Sequence, residues 1–158
     1  MTDSNRVLSM WGRMSGWPGG KGLFSRVICW KAPYFGSIRP RFQSLEPGRS
    51  IVTMNKRRAV TNHIGTVHAI AMCNLAEIAA GTMTEATVPR SHRWIPKGMT
   101  VEYLRKAETD LTASARIEPI PEFNGSFALP VEVDLVDSRQ ETVFRAVIDM
   151  WISPRKRG

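Results

Sequence analysis

At the start of the chain the apolar residues recur every three or four positions, as they do in helices. This spacing predicts a helix over residues 21–30, which Pro33 ends. An earlier helix over residues 4–14, capped by Ser4, is separated from it by the Gly-Trp-Pro-Gly-Gly break at 16–20. The first part of the chain is therefore predicted to be helical and irregular.

From residue 38 onward apolar and polar residues alternate, which is typical of strands with one buried face. Two strands are predicted at 39–45 and 50–58, joined by the turn Glu46-Pro47-Gly48. After Arg93 the alternation returns, interrupted by polar or Pro/Gly turns. The four strands predicted there cover residues 97–106, 110–119, 126–137 and 140–152.

Between the two groups of strands, residues 67–81 have helical periodicity, after a loop at 62–66. Their apolar stripe is Val67, Ile70, Ala71, Leu75, Ile78 and Ala79. Alanines at 69, 71, 76, 79 and 80 would let a sheet approach closely. The surrounding stretch at 66–82 includes His68, Asn74 and Glu77, which makes it a poor membrane span. A buried helix is predicted.

This order of elements predicts an α+β architecture in which an antiparallel sheet curls around one long helix. A chain of 158 residues is long enough for one core. We expect an N-terminal helical segment at 1–37, the sheet-and-helix domain at 38–153, and a basic tail at 154–158.

The net charge of +8 predicts attraction to polyanions, which include nucleic acid, membrane surfaces and phosphorylated cofactors. No zinc-finger, RRM or KH signature accompanies the basic groups, so nucleic acid is not the favoured partner. Cys29 and Cys73 lack metal or redox spacing, which predicts buried reduced thiols and no metal site. Charged residues interrupt the first thirty positions, so a cytoplasmic location without a secretory signal is expected.

The pattern Asn62-x5-His68-x8-Glu77 contains the candidate catalytic residues. It resembles the active-site stretch of hotdog-fold acyl-CoA thioesterases of the hydroxybenzoyl- and phenylacetyl-CoA kind. In that family an amide or acid precedes a His-Gly pair, and a carboxylate follows on the central helix. His68-Ala69 takes the His-Gly position. The resemblance covers residues 45–152 and fits a little-characterised branch at least as well.

The resemblance implies a hotdog fold and hydrolysis of an acyl-CoA to free acid and coenzyme A, the latter as part of the substrate rather than a cofactor. The thioester oxygen would lie at the backbone N–H groups near His68 and Ala69, helped by the helix dipole. Glu77 would act as general base or nucleophile. Asn62 would orient the carbonyl or the water.

The spacing of two candidates constrains the site. His68 and Glu77 are nine residues apart, which on a regular helix is a rotation of about 180°. Either His68 precedes the helix, or His68 of one subunit meets Glu77 of another. Members of the family pack as dimers with the active site at the interface, which implies a homodimer here, possibly paired into a tetramer, and an inactive monomer.

Basic residues near the predicted site are candidates for binding the coenzyme A phosphates through charge-assisted hydrogen bonds. They are Arg57, Arg58, Arg90, Lys97, Arg105 and Lys106. Solvated surface charge is the alternative for each of them.

Other interpretations stay open. Ala69 in place of glycine, and Gly81 where the enzymes often keep a hydroxyl residue, favour a non-catalytic acyl-binding module. Glu77 could instead form an ion pair or face solvent, and His68 could cap or pack the helix. His63 and His92 are predicted to lie at the surface. Apolar residues that could line an acyl pocket or simply fill the core are Met72, Met83, Trp94, Tyr103 and Phe127.

Overall fold

The computed structural model describes residues 5–155. Within that range the helices are α1 (Arg6–Met14), α2 (Gly20–Lys31) and α3 (Ala69–Thr87), with short 3-10 helices at Pro33–Ile38 and Arg58–Val60. The strands are β1 (Arg41–Glu46), β2 (Arg49–Met54), β3 (His92–Tyr103), β4 (Leu111–Arg116), β5 (Phe127–Val136) and β6 (Thr142–Pro154).

The strands form one antiparallel sheet in the order β1-β2-β4-β5-β6-β3. The sheet stays open, with β1 and β3 at its edges. It curls around α3, which contacts all six strands. The buried apolar residues of strands and helices make one continuous cluster. The predicted α+β class and the curled sheet around a long helix are confirmed.

The central helix is buried over most of its circumference. Positions from Met72 to Ala86 are buried on several sides and not along one stripe. Ile70, predicted to belong to the buried stripe, is 55% exposed, so that prediction is wrong. Val67 is buried but precedes the helix, which begins at Ala69.

The helix also runs past Gly81, its predicted end, to Thr87. A mid-helix glycine costs only about 1 kcal/mol relative to alanine, less than the contacts made by the buried residues that follow it. The Thr84 hydroxyl donates to the Ala80 carbonyl (2.8 Å), and the Thr87 hydroxyl accepts the Gly48 N–H (2.9 Å). The second of these bonds ties the last turn to the β1–β2 hairpin.

Two predicted strands have different bounds in the structure. The strand expected at 50–58 ends at Met54, and a 3-10 helix follows at Arg58. The strand expected at 97–106 begins at His92 and runs through Pro96. A proline lacks the N–H that a central strand needs, but β3 is an edge strand and carries a bulge between Pro96 and Gly98.

The N-terminal helices pack onto the same core. Edge-to-face contacts join Trp11 to Phe24 and Phe24 to Phe42, with ring centroids 5.0 Å and 5.3 Å apart. The side chain of Asn5 accepts the Val7 N–H and caps α1. Ser4, the predicted cap, and the last residues of the basic tail lie outside the described residues. Between residues 5 and 155 no helix is long and apolar enough to cross a membrane.

A buried carboxylate organises the β5–β6 turn. Asp137 is 2% exposed and accepts the N–H groups of Arg139 (2.8 Å) and Glu141 (3.0 Å). Burial alone would raise the pKa of this carboxyl, but the Glu141 and Arg139 N–H groups and the Arg139 guanidinium lower it below its ordinary value.

Because the folded pKa of Asp137 is lowered, its stabilisation is present above the ordinary aspartate pKa of about 3.9 and is lost as the pH falls through the folded value. We predict that Asp137→Asn lowers the urea midpoint at pH 7 and that the difference from the wild type shrinks as the pH falls below about 4. A difference that is constant over this range would contradict the assignment.

Candidate active site

Glu77 lies halfway along α3, in the wall of an apolar cavity of about 260 Å³. The cavity separates α3 from the N-terminal helices and from β3. Apolar lining side chains include Val7, Ile28, Phe35, Trp94, Pro96 and Met150. Within residues 5–155 the Glu77 carboxylate has no hydrogen-bond or ion-pair partner. A half-buried, unpaired carboxylate in an apolar wall is suited to accept a proton or to attack a carbonyl.

A second carboxylate closes the other end of the cavity and, unlike Glu77, is paired. The indole N–H of Trp94 donates to Glu85 Oε2 (2.7 Å), and the Asn5 amide donates to the Glu85 carbonyl. A Cβ added at Gly81 would lie 3.2 Å from the Trp94 ring. Because Trp94 is held in place by Glu85, the missing side chain at Gly81 is what allows the indole ring to pack this closely against α3.

His68 is the N-cap of α3, and its Nδ1 accepts the Ile70 N–H (3.0 Å). The remaining ring nitrogen, Nε2, therefore carries the proton and is a donor. The side chain is exposed. His68 precedes the helix, which is one of the two arrangements that the nine-residue spacing to Glu77 allowed. Nine residues still separate it from Glu77 by about 13 Å along the helix axis, so the two do not meet within one chain.

The Asn62 side chain shapes its own loop. Its Oδ1 accepts the N–H groups of Ile64 and Thr66 (both 3.1 Å), and its Nδ2 donates to Thr66 Oγ1 (2.8 Å). These bonds hold the loop that leads into the His68 cap, where the His68 N–H donates to the Val60 carbonyl (2.8 Å). The predicted contact of Asn62 with substrate stays a prediction.

Exposed apolar side chains lie where the first half of α3 meets the edge strand β3, and this surface is called the groove below. Met99, Val101 and Tyr103 pair with buried residues of β6 and so point to the helix side of the sheet. Nevertheless Met99 is 37% exposed and Tyr103 is 48% exposed. Ile70 and Cys73 form the helical side of the groove, because the Cys73 thiol lies 3.3 Å from the Tyr103 hydroxyl.

The thiols are less buried than predicted. Both Cys29 and Cys73 are half-buried and free. The hydrogen bond with Cys73 raises the pKa of Tyr103 to about 12. Burial raises the pKa of the Cys29 thiol, which keeps it protonated and unreactive.

Four of the six predicted phosphate-binding residues lie near the N-terminal end of α3. The Val67 N–H donates to the Ala107 carbonyl (2.8 Å), and Thr61 bridges to Val67. These contacts bring the segments that contain Arg57, Arg58, Arg105 and Lys106 close to His68. The remaining two lie elsewhere. Lys97 stacks over Trp151 at 4.1 Å, and Arg90 follows the opposite end of α3.

Two of the four already have partners, which limits their freedom to bind phosphate. The Arg57 guanidinium donates to the Ser37 carbonyl, and Arg105 pairs with Glu141 at 3.3 Å. The Arg105 pair is exposed and therefore weak, so a phosphate could replace it at little cost.

Sequence patterns did not reveal the cavity. Of the predicted pocket residues only Trp94 lines it, whereas Met72 and Met83 are core residues. His92, predicted at the surface, is buried, and its Nδ1 lies 2.9 Å from the Ser91 hydroxyl. Asn74 is buried beside the Ser37 hydroxyl (3.2 Å). No local signal identifies these residues, because the groups beside them are distant in sequence, such as Ser37 beside Asn74 and Phe123 beside His92.

Solved structures place this fold in a known class. A crystal structure described only as a genomics target is 48% identical, covers 94% of this chain and 98% of its own, and superimposes with a TM-score of 0.82. A Pseudomonas aeruginosa protein of unknown function, described as a probable thioesterase, is 24% identical over 88% and 97% of the two chains (TM-score 0.76). A Haemophilus influenzae thioesterase shares the fold at 12% identity over 78% and 85% (TM-score 0.68).

These likenesses confirm the predicted hotdog fold, the class that the thioesterase structures also adopt. Residues 20–152 match the family described as a domain of unknown function, DUF4442, and the chain belongs to that family. The match includes α2, and the predicted boundary at residue 38 stays a prediction. Among curated proteins no match was found.

The capping role of His68 can be separated from any chemical role. We predict that His68→Ala lowers the free energy of unfolding by about 1 kcal/mol, because the Ile70 N–H loses its acceptor. His68→Asn supplies another capping acceptor and should remain close to the wild type in urea unfolding. His63→Ala, in the same loop and exposed, is the control. Equal stability of the two alanine variants would contradict the cap.

Proposed function

We propose that the protein hydrolyses an acyl-CoA thioester to a free acid and coenzyme A at a site shared by two subunits. The observation that carries the proposal is the unpaired Glu77 carboxylate in the wall of the apolar cavity. Solved structures described as thioesterases share the fold. Their low identity supports the fold alone, so the choice of reaction depends on the site.

The chemistry needs a base and an oxyanion site. Glu77 takes a proton from water, whose oxygen adds to the thioester carbonyl. The tetrahedral intermediate then collapses, the carbon–sulfur bond breaks, and the thiolate leaves and takes up a proton. In the alternative route the Glu77 carboxylate attacks the carbonyl directly, the carbon–sulfur bond breaks and the coenzyme A thiolate leaves and takes up a proton. Water then hydrolyses the resulting anhydride and restores the carboxylate. The oxyanion lies at the N-terminus of an α3 helix, near the N–H of Ala69.

The oxyanion site comes from the second subunit, because His68 and Glu77 of one chain lie about 13 Å apart along α3. The edge of β3 that faces away from β6 has no strand beside it within the described residues. A second copy paired along this edge would extend the sheet and cover Met99 and Tyr103. Glu77 of one subunit would then face His68 of the partner subunit across the groove.

Coenzyme A would leave the site at the N-terminal end of α3. Arg57, Arg58, Arg105 and Lys106 belong to segments joined to this end by the backbone bonds of Val67. Phosphate binding there is favoured by charge-assisted hydrogen bonds. Arg90 and Lys97 are distant from this end of α3 and have no part in the proposal.

The direct test measures thiol release from a panel of acyl-CoAs. Glu77→Gln keeps the shape of the side chain but removes the base, and we expect kcat/KM to fall by about 10²–10⁴-fold. Glu46→Gln, an exposed position at the end of β1, is the matched control and should keep wild-type activity. Wild-type activity in Glu77→Gln would refute the mechanism.

The shared site predicts that the monomer is inactive. Met99→Glu places a charge on the groove side of β3, and we expect light scattering to show a monomer that has lost acyl-CoA hydrolysis. Thr100→Glu changes the neighbouring residue on the opposite face of the strand and should leave the dimer active. An active Met99→Glu monomer would contradict a site built by two subunits.

A non-catalytic acyl-binding module is the second candidate. It is favoured by Gly81, whose missing side chain cannot supply a hydroxyl to hold water, and by Ala69 in the His-Gly position. Saturable acyl-CoA binding with no thiol release, unchanged in Glu77→Gln, would distinguish this function from hydrolysis.

A further inference from the structure

The Glu77 cavity is elongated along α3. Glu77 and Glu85 both line it and lie eight residues apart, which is about 12 Å along the helix axis. Between them the helix contributes Ile78, Gly81 and Thr82. A cavity of this form suits an extended chain whose reacting end is at Glu77 and whose far end is at Glu85.

We infer that this cavity is an acyl-chain site for an unbranched, uncharged acyl group of about ten carbon atoms or fewer, and that the N-terminal helices set its length. The size follows from the volume: a cavity of ~150 Å³ holds benzene, so about 260 Å³ accommodates roughly ten carbon atoms. The inference depends on the proposed function for the identity of the acyl carrier, since a free chain would present no thioester.

The N-terminal helices contribute a wall that the curled sheet does not provide. Val7 comes from α1, Ile28 from α2 and Phe35 from the 3-10 helix at Pro33–Ile38. All three are partly buried and pack against the core. Each methylene group of a chain buried against them would strengthen binding about fourfold. The residues of this wall therefore decide how long a chain can be held.

The floor of the cavity selects against charge. Glu85 is fixed there by the Trp94 indole N–H, and its backbone carbonyl is fixed by Asn5. No ion pair found within the described residues includes the Glu85 carboxylate, although three arginines line a second pocket that Glu85 also borders, namely Arg6, Arg90 and Arg155. An acyl group that ends in a second carboxylate would bring two negative charges together in an apolar cavity. A terminal methyl group meets no such penalty.

The chain-length test changes one wall residue in both directions. Ile28→Phe fills the cavity and should shift the preferred acyl-CoA to shorter chains, with kcat/KM falling about fourfold for each methylene that loses its contacts. Ile28→Ala enlarges the cavity and should shift the preference to longer chains. Leu23→Phe and Leu23→Ala, at an exposed position of the same helix, are the controls. Thiol release is measured for saturated acyl groups of increasing length, with phenylacetyl-CoA as the aromatic comparison.

Binding gives a readout that does not need turnover. Thioether analogues of the same acyl-CoAs are titrated by calorimetry into the wild type and into both Ile28 variants. If the chain length that binds most tightly changes in the Ile28 variants, but the thioesters are not hydrolysed, the proposed reaction would be overturned and the acyl site kept. Hydrolysis with a chain-length profile that neither Ile28 variant changes would overturn the acyl site and keep the reaction. Binding without hydrolysis, with a chain-length profile that neither variant changes, would overturn both. Absence of both hydrolysis and binding would overturn both.

The charge selection has its own variant. Glu85→Gln retains an acceptor for the Trp94 indole but removes the charge. The ratio of kcat/KM for the ω-carboxylate counterpart of octanoyl-CoA to kcat/KM for octanoyl-CoA itself should rise about tenfold. An unchanged ratio would show that Glu85 does not face the end of the chain.

Discussion

The central constraint on this structure is that α3 must be covered on nearly every side. Its buried positions are spread around the helix and are not confined to one stripe. Such a helix is stable in water only when other elements remove its apolar surface from solvent. The six strands cover most of it, and α1 with the 3-10 helix at Pro33–Ile38 covers part of the rest. The curled sheet and the N-terminal layer are both consequences of this requirement.

The covering is incomplete in two places, and both contain the candidate chemistry. One is the cavity beneath the N-terminal helices, where Glu77 meets no partner among the described residues. The other is the groove along β3, where Met99 and Tyr103 remain exposed although they point to the helix. A second subunit would close the groove and bring an α3 N-terminus to Glu77, so the need to cover α3 would also assemble the site.

Local patterns were sufficient to predict the fold class, the number of strands and the presence of the long helix, because alternation and helical spacing report directly on burial. They failed where distant contacts outweigh local preference. Gly81 indicated a helix end, yet burial against the sheet carries α3 to Thr87. Ile70 fitted the buried stripe, yet it lies at the open groove. The roles that the resemblance implies for Glu77 and His68 stay predictions, and the cavity could not be predicted, because residues far apart in sequence form its walls.

A crystal structure with a decanoyl-CoA analogue, in which a methylene group replaces the thioester sulfur, would show where the acyl chain and the reacting carbonyl lie. We expect the chain in the cavity between α3 and the N-terminal helices. We also expect the ketone carbon about 3–3.5 Å from the Glu77 carboxylate or from a water bound to it, with its oxygen at the α3 N-terminus of the partner subunit. A chain bound elsewhere, or a ketone remote from Glu77, would refute both the acyl site and the role of Glu77.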